Sequence, residues 1–541
     1  MSALHPRSRL ETHEVFNQPP PFEDVNLFTS DRALQAAVTA AGAGVHDERL
    51  RAFGAVAGSA ETALLAAQAN DEPPRLKAFD RHGRRLDEVE FHPAYHRLMA
   101  LGLEAGVSSS PWAGGPAGVT LHAALEFMMA QAEPGVCCPM TMTAAAPAAL
   151  RHEPDVAAAL VPKIAASGYD PSSQPAAGKT AVTVGMAMTE KQGGSDVRAG
   201  TTRAVPGDGG FILTGHKWFC SAPMSDAFLT LAWAEGGLTC FLVPRWTPDG
   251  ERNAIHLMRL KDKLGDRANA SAEIEYHGAF AHRVGEEGRG VRTIIDMVHH
   301  TRLDCVVAPA AYMRQAVANA AWHAAHRTAF QKRLIDQPLM RTLLADLAIE
   351  SEAATALTFR IARSFDDGGP FARIATPLAK YWINKRAVGL VCEALEVHGG
   401  SGYVEDGVMP RLYRQSPLNS IWEGSGNVVC LDILRAMERD RDSVAALAAE
   451  LEDARGADRR LDRAIGEAVA ALTHPPDEGR ARRLAETLAL ALEGAILSDT
   501  APNFVFEAFC ATRLDDRPGL SWGAATAGVD AGAILQRAMP Q

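Results

Sequence analysis

The spacing of apolar and polar positions changes character several times along the chain. Residues 1–29 are polar and interrupted by Pro19-Pro20-Pro21, which predicts an extended arm free to pack on another subunit. Beyond Ser30 or Asp31, either of which can cap a helix, alanine-rich stretches with helical spacing run to about Asn70. Leu76 to Phe91 alternate on both sides of Asp80-Arg81-His82-Gly83, predicting a small hairpin. Helical periodicity resumes over Thr120–Gln131, Met140–Arg151 and Val156–Ala166, and a Ser-, Pro- and Gly-rich run at 167–178 marks a boundary. From Thr180 to about Arg289 short runs alternate between turns such as Pro206-Gly207-Asp208-Gly209-Gly210. Phe211–Leu213, Ala227–Trp233, Leu238–Val243 and Ala272–Tyr276 read as strands of a compact antiparallel β-domain or barrel. Helical spacing returns near Val291 and holds to about Met437, and an alanine- and arginine-rich helical region fills the remainder. The expected fold class is therefore α+β and multidomain. It comprises an N-terminal helical domain with its arm (1–179), a β-domain (180–290), a helical bundle (291–437) and an extra C-terminal helical domain (438–541).

Composition narrows the function without deciding it. A chain of 541 residues is too long for one hydrophobic core. A net charge of −11 gives no general attraction to nucleic acid or anionic membrane. The opening residues contain no apolar signal segment, and no uncharged apolar run is long enough to span a bilayer, so a soluble cytoplasmic protein is expected. The eight cysteines form no C-x-x-C pair, which fits reduced thiols and no metal site. No strand–GxGxxG–helix unit occurs, which argues against a Rossmann nucleotide site.

The strongest candidate chemistry lies in Pro410–Arg435, around Ile421-Trp422-Glu423-Gly424-Ser425-Gly426-Asn427. A lone carboxylate beside a bulky aromatic is partly desolvated, which raises its pKa and strengthens its anion as a base. Gly424 and Gly426 let backbone approach a ligand, and Ser425 or Asn427 can cap a helix over Val428–Met437 whose first N–H groups would suit a phosphate. A capped helix beside a hydrogen-bonded core Glu fits the same residues. Two further stretches stand out in the β-region. Met186-Ala187-Met188-Thr189-Glu190-Lys191-Gln192-Gly193-Gly194-Ser195-Asp196 ends in a polar turn able to present amides and hydroxyls. Gly215-His216-Lys217-Trp218-Phe219-Cys220-Ser221 is an aromatic strand ending in a hydroxyl, equally compatible with core packing and with a cofactor wall.

Taken together these stretches resemble the acyl-CoA dehydrogenase superfamily. The first is similar to its aromatic-Glu-Gly-Thr/Ser loop, the others to Thr-Glu-x-x-x-Gly-Ser-Asp and Gly-x-Lys-x-Trp-Ile-Thr. The resemblance implies FAD held between domains and subunits, with a homotetramer as the usual assembly. It implies Glu423 as the base that removes the α-proton of an acyl-CoA. Thr189 and Ser195 would hydrogen-bond the flavin ring and pyrophosphate, with Met186, Met188 and Gly194 in the same cofactor-binding set. Phe219 would take the place of the flavin-covering Trp, and Ser221 that of the hydroxyl near flavin N5. Arg327 and Phe330, in His326-Arg327-Thr328-Ala329-Phe330-Gln331, resemble an Arg-x-x-Phe-Gly that reaches FAD bound mainly by a neighbouring subunit. Gly399 and Gly400, in Gly399-Gly400-Ser401-Gly402-Tyr403, resemble a turn beside the FAD diphosphate, and Ile421, Gly424, Ser425 and Asn427 complete the cofactor-facing loop. Thr301-Arg302 resembles a pair at the mouth of the acyl-CoA site, making Arg302 a substrate residue; pairing of Arg302 with Asp304 or a neighbouring helix is the other reading.

The spellings Thr-Glu-Lys-Gln-Gly-Gly-Ser-Asp, Gly-His-Lys-Trp-Phe and Ser-Ile-Trp-Glu-Gly-Ser-Gly-Asn are similar to the AidB-type branch, as are the length, the arm and the C-terminal extension. That likeness implies an FAD flavoprotein of the alkylation-damage response that binds double-stranded DNA and has at most weak acyl-CoA dehydrogenase activity. A fully active dehydrogenase for a short or branched acyl-CoA without a DNA role is the alternative. For DNA, Arg435 and the clusters Arg455, Arg459, Arg463 and Arg480, Arg482, Arg483 are the candidates; the first three stand at i, i+4, i+8, as if on one helical face. Against this, residues 437–541 hold 12 Arg and 18 Asp+Glu, a net charge of −6, and Glu452, Asp458 and Asp462 can neutralise the first cluster.

Overall fold

The computed structural model describes residues 6–474, 477–515, 519–524 and 529–540. Asp31 caps the first helix, α1 (Arg32–Ala40), accepting from the N–H groups of Ala33 and Leu34. Helices α2 (Asp47–Ala57) and α3 (Ala60–Asp71) lead into the expected hairpin, β1 (Arg75–Phe79) with β2 (Arg85–Glu90). Then come α4 (Pro93–Ala105), α5 (Gly118–Ala132), α6 (Pro134–Leu150) and α7 (Pro154–Ile164). All residues of α5 are buried, as are all of α6 except Thr141, so these two form the middle of a helical stack.

The β-region contains β3 (Val184–Ala187), β4 (Arg203–Gly207), β5 (Gly210–Ser221), β6 (Ala227–Ala234), β7 (Gly237–Pro244), β8 (Ile255–Leu260) and β9 (Ser271–Val284). The pairings β6–β4–β5–β9–β7 return from β7 to β6 and close a barrel, leaving β3 and β8 as additions outside the ring. The pairing is mixed rather than wholly antiparallel: β3 and β4 both run parallel to β6. The long excursion through β4 and β5 between β3 and β6 supplies the crossover that parallel neighbours require.

Three long helices follow: α8 (Gly290–His326), α9 (Pro338–Asp367) and α10 (Phe371–Val397). A two-residue hairpin, β10 (Thr328–Ala329) with β11 (Lys332–Arg333), separates the first two. Beyond them lie α11 (Val408–Gln415), α12 (Gly426–Arg439), α13 (Arg441–Asp453), α14 (Arg459–Thr473), α15 (Ala481–Thr500), α16 (Asn503–Arg513) and α17 (Ala531–Ala538). One continuous apolar cluster joins the N-terminal helices, α8–α10 and the C-terminal helices, while the barrel contributes to two further clusters. The arm does not stand away from its own chain. Asn17 exchanges hydrogen bonds with Thr328, and Trp322 Nε1 donates to the Pro20 carbonyl at 2.9 Å, so the arm is fastened to the end of α8.

One sequence expectation about the C-terminal region changes. Arg455 lies in the turn between α13 and α14, where Gly456 adopts φ +90° and Asp458 caps α14, so Arg455, Arg459 and Arg463 do not share one helix. All eight cysteines are free thiols, seven of them buried. Among the described residues no helix is long and apolar enough to cross a membrane, and no group of His, Cys, Asp and Glu could hold a metal.

Candidate active site

Glu423 sits at a backbone φ of +55°, a left-handed conformation that costs a non-glycine residue about 1–2 kcal/mol. Neighbouring charges hold it there. Arg302 Nε donates to the Glu423 carbonyl at 3.0 Å, and Lys380 Nζ donates to the carbonyls of Gly424 at 2.8 Å and Asn419 at 2.9 Å. Arg302 is itself fixed by Asp432 at 2.6 Å, and Arg373 takes the other Asp432 oxygen at 2.9 Å. Of the two readings of Arg302, pairing with a neighbouring helix is seen, through Asp432 on α12 and not through Asp304, and from there its guanidinium braces the Glu423 loop.

This bracing points the Glu423 side chain at α8, where Thr301 Oγ1 donates to Oε2 at 3.0 Å. Burial raises the Glu423 pKa, and the Thr301 hydroxyl, Arg302 and Lys380 restrain that rise. The Cys138 thiol, on α6, interacts with Ser221 at the end of β5 and lies within reach of the Glu423 charge. Trp422 packs against the same apolar cluster as Met186 and Met188.

The two β-region stretches are joined to each other. Trp218 N–H donates to the Thr189 carbonyl at 2.7 Å, and a Cβ on Gly194 would lie 2.4 Å from Thr189 Oγ1, so that position accepts only glycine without rearrangement. Ser195 and Phe219 are exposed, while the Ser221 hydroxyl is 3.3 Å from that of Ser271. Lys261 Nζ stands 3.1 Å from the centre of the Trp218 ring.

At the start of α12 the Ser425 side chain makes no capping bond, so the first N–H groups of the helix remain available. Neither does Asn427 cap: its Oδ1 accepts from Arg482 Nε at 2.9 Å. Gly426 makes room for Lys385, whose Nζ would lie 3.3 Å from a Cβ at that position. The helix start, Lys385 and Arg482 form a cationic cradle open to an anion, and Ile421 is exposed beside it.

Arg327, Phe330, Gly399 and Gly400 are elsewhere. Thr301 and Arg327 lie at positions separated by about 39 Å of helical rise along α8. Arg327 Nη1 donates to the Asn17 carbonyl at 2.5 Å. Phe330 and Gln331, both at positive φ, form the tight hairpin turn, and Phe330 is 93% exposed. The His323 and His398 rings, 4.6 Å apart, put this hairpin beside the open Gly399-Gly400 turn.

Most of the arginines proposed for DNA have acidic or carbonyl partners. Arg455 pairs with Glu452 at 2.9 Å, Arg435 stands 3.7 Å from Asp432, Arg480 3.9 Å from Asp477 and Arg483 3.3 Å from Glu486. Arg463 donates to the Leu514 carbonyl, Arg482 belongs to the cradle above, and Arg459 is exposed. Sequence reasoning missed Lys380, Asp432 and Arg373, whose only signal was a charge inside an otherwise apolar or alanine-rich helical run.

Comparison with known proteins identifies the arrangement. Three family models match in order: Adaptive response protein AidB N-terminal domain at residues 17–171, acyl-CoA dehydrogenase middle domain at 185–279, and acyl-CoA dehydrogenase C-terminal domain at 288–438. AidB of Escherichia coli (strain K12) is 44% identical over 519 residues, covering 94% of this chain and 96% of that protein. The chain belongs to the acyl-CoA dehydrogenase family, in its AidB type. Acyl-CoA dehydrogenase family member 11 of Caenorhabditis elegans is 33% identical over 82% of this chain and 74% of that one. The crystal structure of Caenorhabditis elegans ACDH-11 in complex with C11-CoA superposes with a TM-score of 0.84 at 28% identity, covering 96% of each chain. As a member of this family the chain is an FAD-dependent oxidoreductase by kind. Its own residues fit that cofactor: an uncapped helix start with two cations suits a diphosphate, and the exposed hydroxyl of Ser195 with the open Phe219 face suits a flavin.

Proposed function

We propose that the chain is an AidB-type flavoprotein that binds FAD at the barrel end and the start of α12, and that removes the α-proton of an acyl-CoA with Glu423. The observation that carries this is the Thr301–Glu423 hydrogen bond. By occupying Oε2 it leaves Oε1 as the basic oxygen, and it turns the carboxylate toward α8. Burial makes that oxygen a stronger base than an exposed carboxylate, as abstraction from a weak carbon acid requires. FAD held by these residues would supply the acceptor for the β-hydride. Met186, Met188, Thr189, Gly194, Ser195, Phe219 and Ser221 form the flavin side of the site, with Ile421, Gly424, Ser425 and Asn427 on the loop side. Arg327, Phe330, Gly399 and Gly400 serve a second subunit's cofactor, a division supported by their distance from Glu423 and by the bare ring of Phe330. A homotetramer in the cytoplasm is the assembly we assign. Anaerobic mixing of the holoprotein with an acyl-CoA panel should bleach the flavin, and Glu423→Gln should abolish bleaching while FAD stays bound. Unchanged bleaching in that variant would remove Glu423 from the reaction.

A second reading, association with double-stranded DNA in the response to alkylation damage, is favoured by the match to the Adaptive response protein AidB N-terminal domain and by likeness to AidB along nearly the whole chain. The acidic C-terminal region and the internal pairing of most of its arginines weigh against those side chains as the contact. Gel-shift titration against ionic strength tests it: DNA affinity that does not fall with salt would exclude phosphate contacts as its basis.

A further inference from the structure

Lys263, in the loop that joins β8 to β9, heads a hydrogen-bond chain that ends at Ser221. Its Nζ donates to Asp266 Oδ2 at 2.7 Å, to the Asn269 carbonyl at 2.9 Å and to Ser271 Oγ at 3.1 Å. An ammonium has three hydrogens and no lone pair, so all its hydrogens are spent and Lys263 serves Ser271 only as a donor. Ser271 opens β9 and is the register partner of Ser221 at the end of β5, with the two hydroxyl oxygens 3.3 Å apart.

The direction of that last bond follows from the surroundings of Ser271. Ser271 is buried, and among the described residues its hydroxyl has only Lys263 and Ser221 as partners. Were Ser221 to donate to Ser271, the Ser271 hydrogen would stay in the interior without an acceptor, which costs more than the bond returns. Ser271 therefore donates to Ser221 Oγ. Burial keeps the Cys138 thiol protonated, so this second neighbour also meets Ser221 as a donor. The hydrogen of Ser221 is thereby directed away from Ser271, and Ser221, unlike Ser271, keeps partial exposure.

Resting on the reading above, in which Ser221 stands near flavin N5, we infer that Lys263 and Ser271 are positioning residues that lock Ser221 as a hydrogen-bond donor to the oxidised flavin. N5 of an oxidised flavin carries a lone pair and accepts. Transfer of a hydride from the β-carbon, as Glu423 takes the α-proton, turns N5 into an N–H donor. A locked donor matches the first form and opposes the second, because turning the Ser221 hydrogen back toward Ser271 orphans a buried hydroxyl hydrogen. The chain thus lowers the reduction potential of the bound flavin and restrains hydride uptake.

The test uses holoprotein reconstituted with FAD isotopically labelled at N5, read by nitrogen NMR and by dye-coupled measurement of the midpoint potential. Ser271→Ala breaks the chain and leaves the Lys263–Asp266 pair in place. It should raise the potential, the equilibrium constant for reduction increasing about tenfold, or about 30 mV for two electrons. In a Ser221→Ala background the same substitution should change nothing, since the chain acts only through that hydroxyl. Lys263→Met should also raise the potential. A lysine acting only as a nearby cation would favour the electron-rich reduced flavin, and its loss would lower the potential instead. Lys263→Met strands the buried Asp266 carboxylate, so Lys263→Met combined with Asp266→Asn keeps that sign readable if the single variant fails to fold. Ser221→Ala should move the N5 resonance downfield by removing the donor. A potential unmoved or lowered by Ser271→Ala, a lowered potential in the Lys263 variants, or a Ser271→Ala effect that persists beside Ser221→Ala would overturn the inference and leave the flavin site standing. An N5 resonance unmoved by Ser221→Ala would overturn the placement of Ser221 and the inference with it.

Discussion

Lys217 Nζ donates to Glu190 Oε1 at 3.0 Å, with both side chains almost wholly removed from solvent. The pair joins the Met186–Asp196 stretch to the Gly215–Ser221 strand. Glu190 also accepts from the N–H groups of Thr201 at 2.6 Å and Thr202 at 3.1 Å, and Lys217 donates to the Leu231 carbonyl at 2.8 Å. Two sequence stretches assigned to the flavin are thus held in register by a charge pair and not by apolar packing alone.

Lys217→Met should destabilise the protein by about 3–5 kcal/mol, because it strands a buried carboxylate. Urea unfolding followed by circular dichroism measures this, and adding Glu190→Gln should recover part of the loss. Burial acts to raise the Glu190 pKa, but Lys217 and the Thr201 and Thr202 bonds prevail and bring it from 4.5 to about 2. A depressed carboxylate stabilises the fold above its unfolded pKa and loses that contribution as pH falls through the folded value. Stability of the wild type should therefore decline between about pH 4.5 and 2 more steeply than that of Glu190→Gln.

Flavin bleaching should rise with pH along a limb whose midpoint lies above the ordinary glutamate range, since only the Glu423 anion accepts the proton and burial raises its pKa. Thr301→Val removes the hydroxyl that favours the anion, so the midpoint should move to still higher pH. Stopped-flow absorbance across pH reads both; a midpoint unmoved by Thr301→Val would separate that hydroxyl from the base.

Arg482→Ala should weaken FAD several-fold by removing a cation from the start of α12, a loss of about 1 kcal/mol for one exposed phosphate contact. Ser195→Ala should do the same from the barrel side. Fluorescence titration of apoprotein with FAD gives both constants. Equal affinity in the double variant would place the cofactor elsewhere.

Arg455→Ala and Arg483→Ala should leave duplex-DNA affinity within about twofold, because each guanidinium already has a carboxylate partner. Anisotropy titrations at two salt concentrations decide it, and a loss with each variant together with a shallower salt dependence would restore these residues to a DNA surface.

How much of this was legible beforehand follows from the range of the interactions. Helices, strands and turns were readable because periodicity and capping act over a few residues: Asp31 caps α1, and the Asp80–Gly83 turn closes its hairpin. The Glu423 loop was readable for the same reason, since its aromatic, carboxylate and glycines are contiguous. The sequence by itself thus determined the order of elements and the family, and singled out Glu423 as the candidate base. Only the tertiary structure decided how that base is held. Glu423 in a left-handed conformation is unfavourable locally and persists because Arg302, 121 residues away in the chain, and Lys380 bind the loop carbonyls. The Glu190–Lys217 tie, the meeting of Asn427 with Arg482 and the chain from Lys263 through Ser271 to Ser221 are likewise pairings between separate elements, fixed by packing and burial. The energies of such contacts come from desolvation, a property of the folded interior that no local pattern of residues encodes.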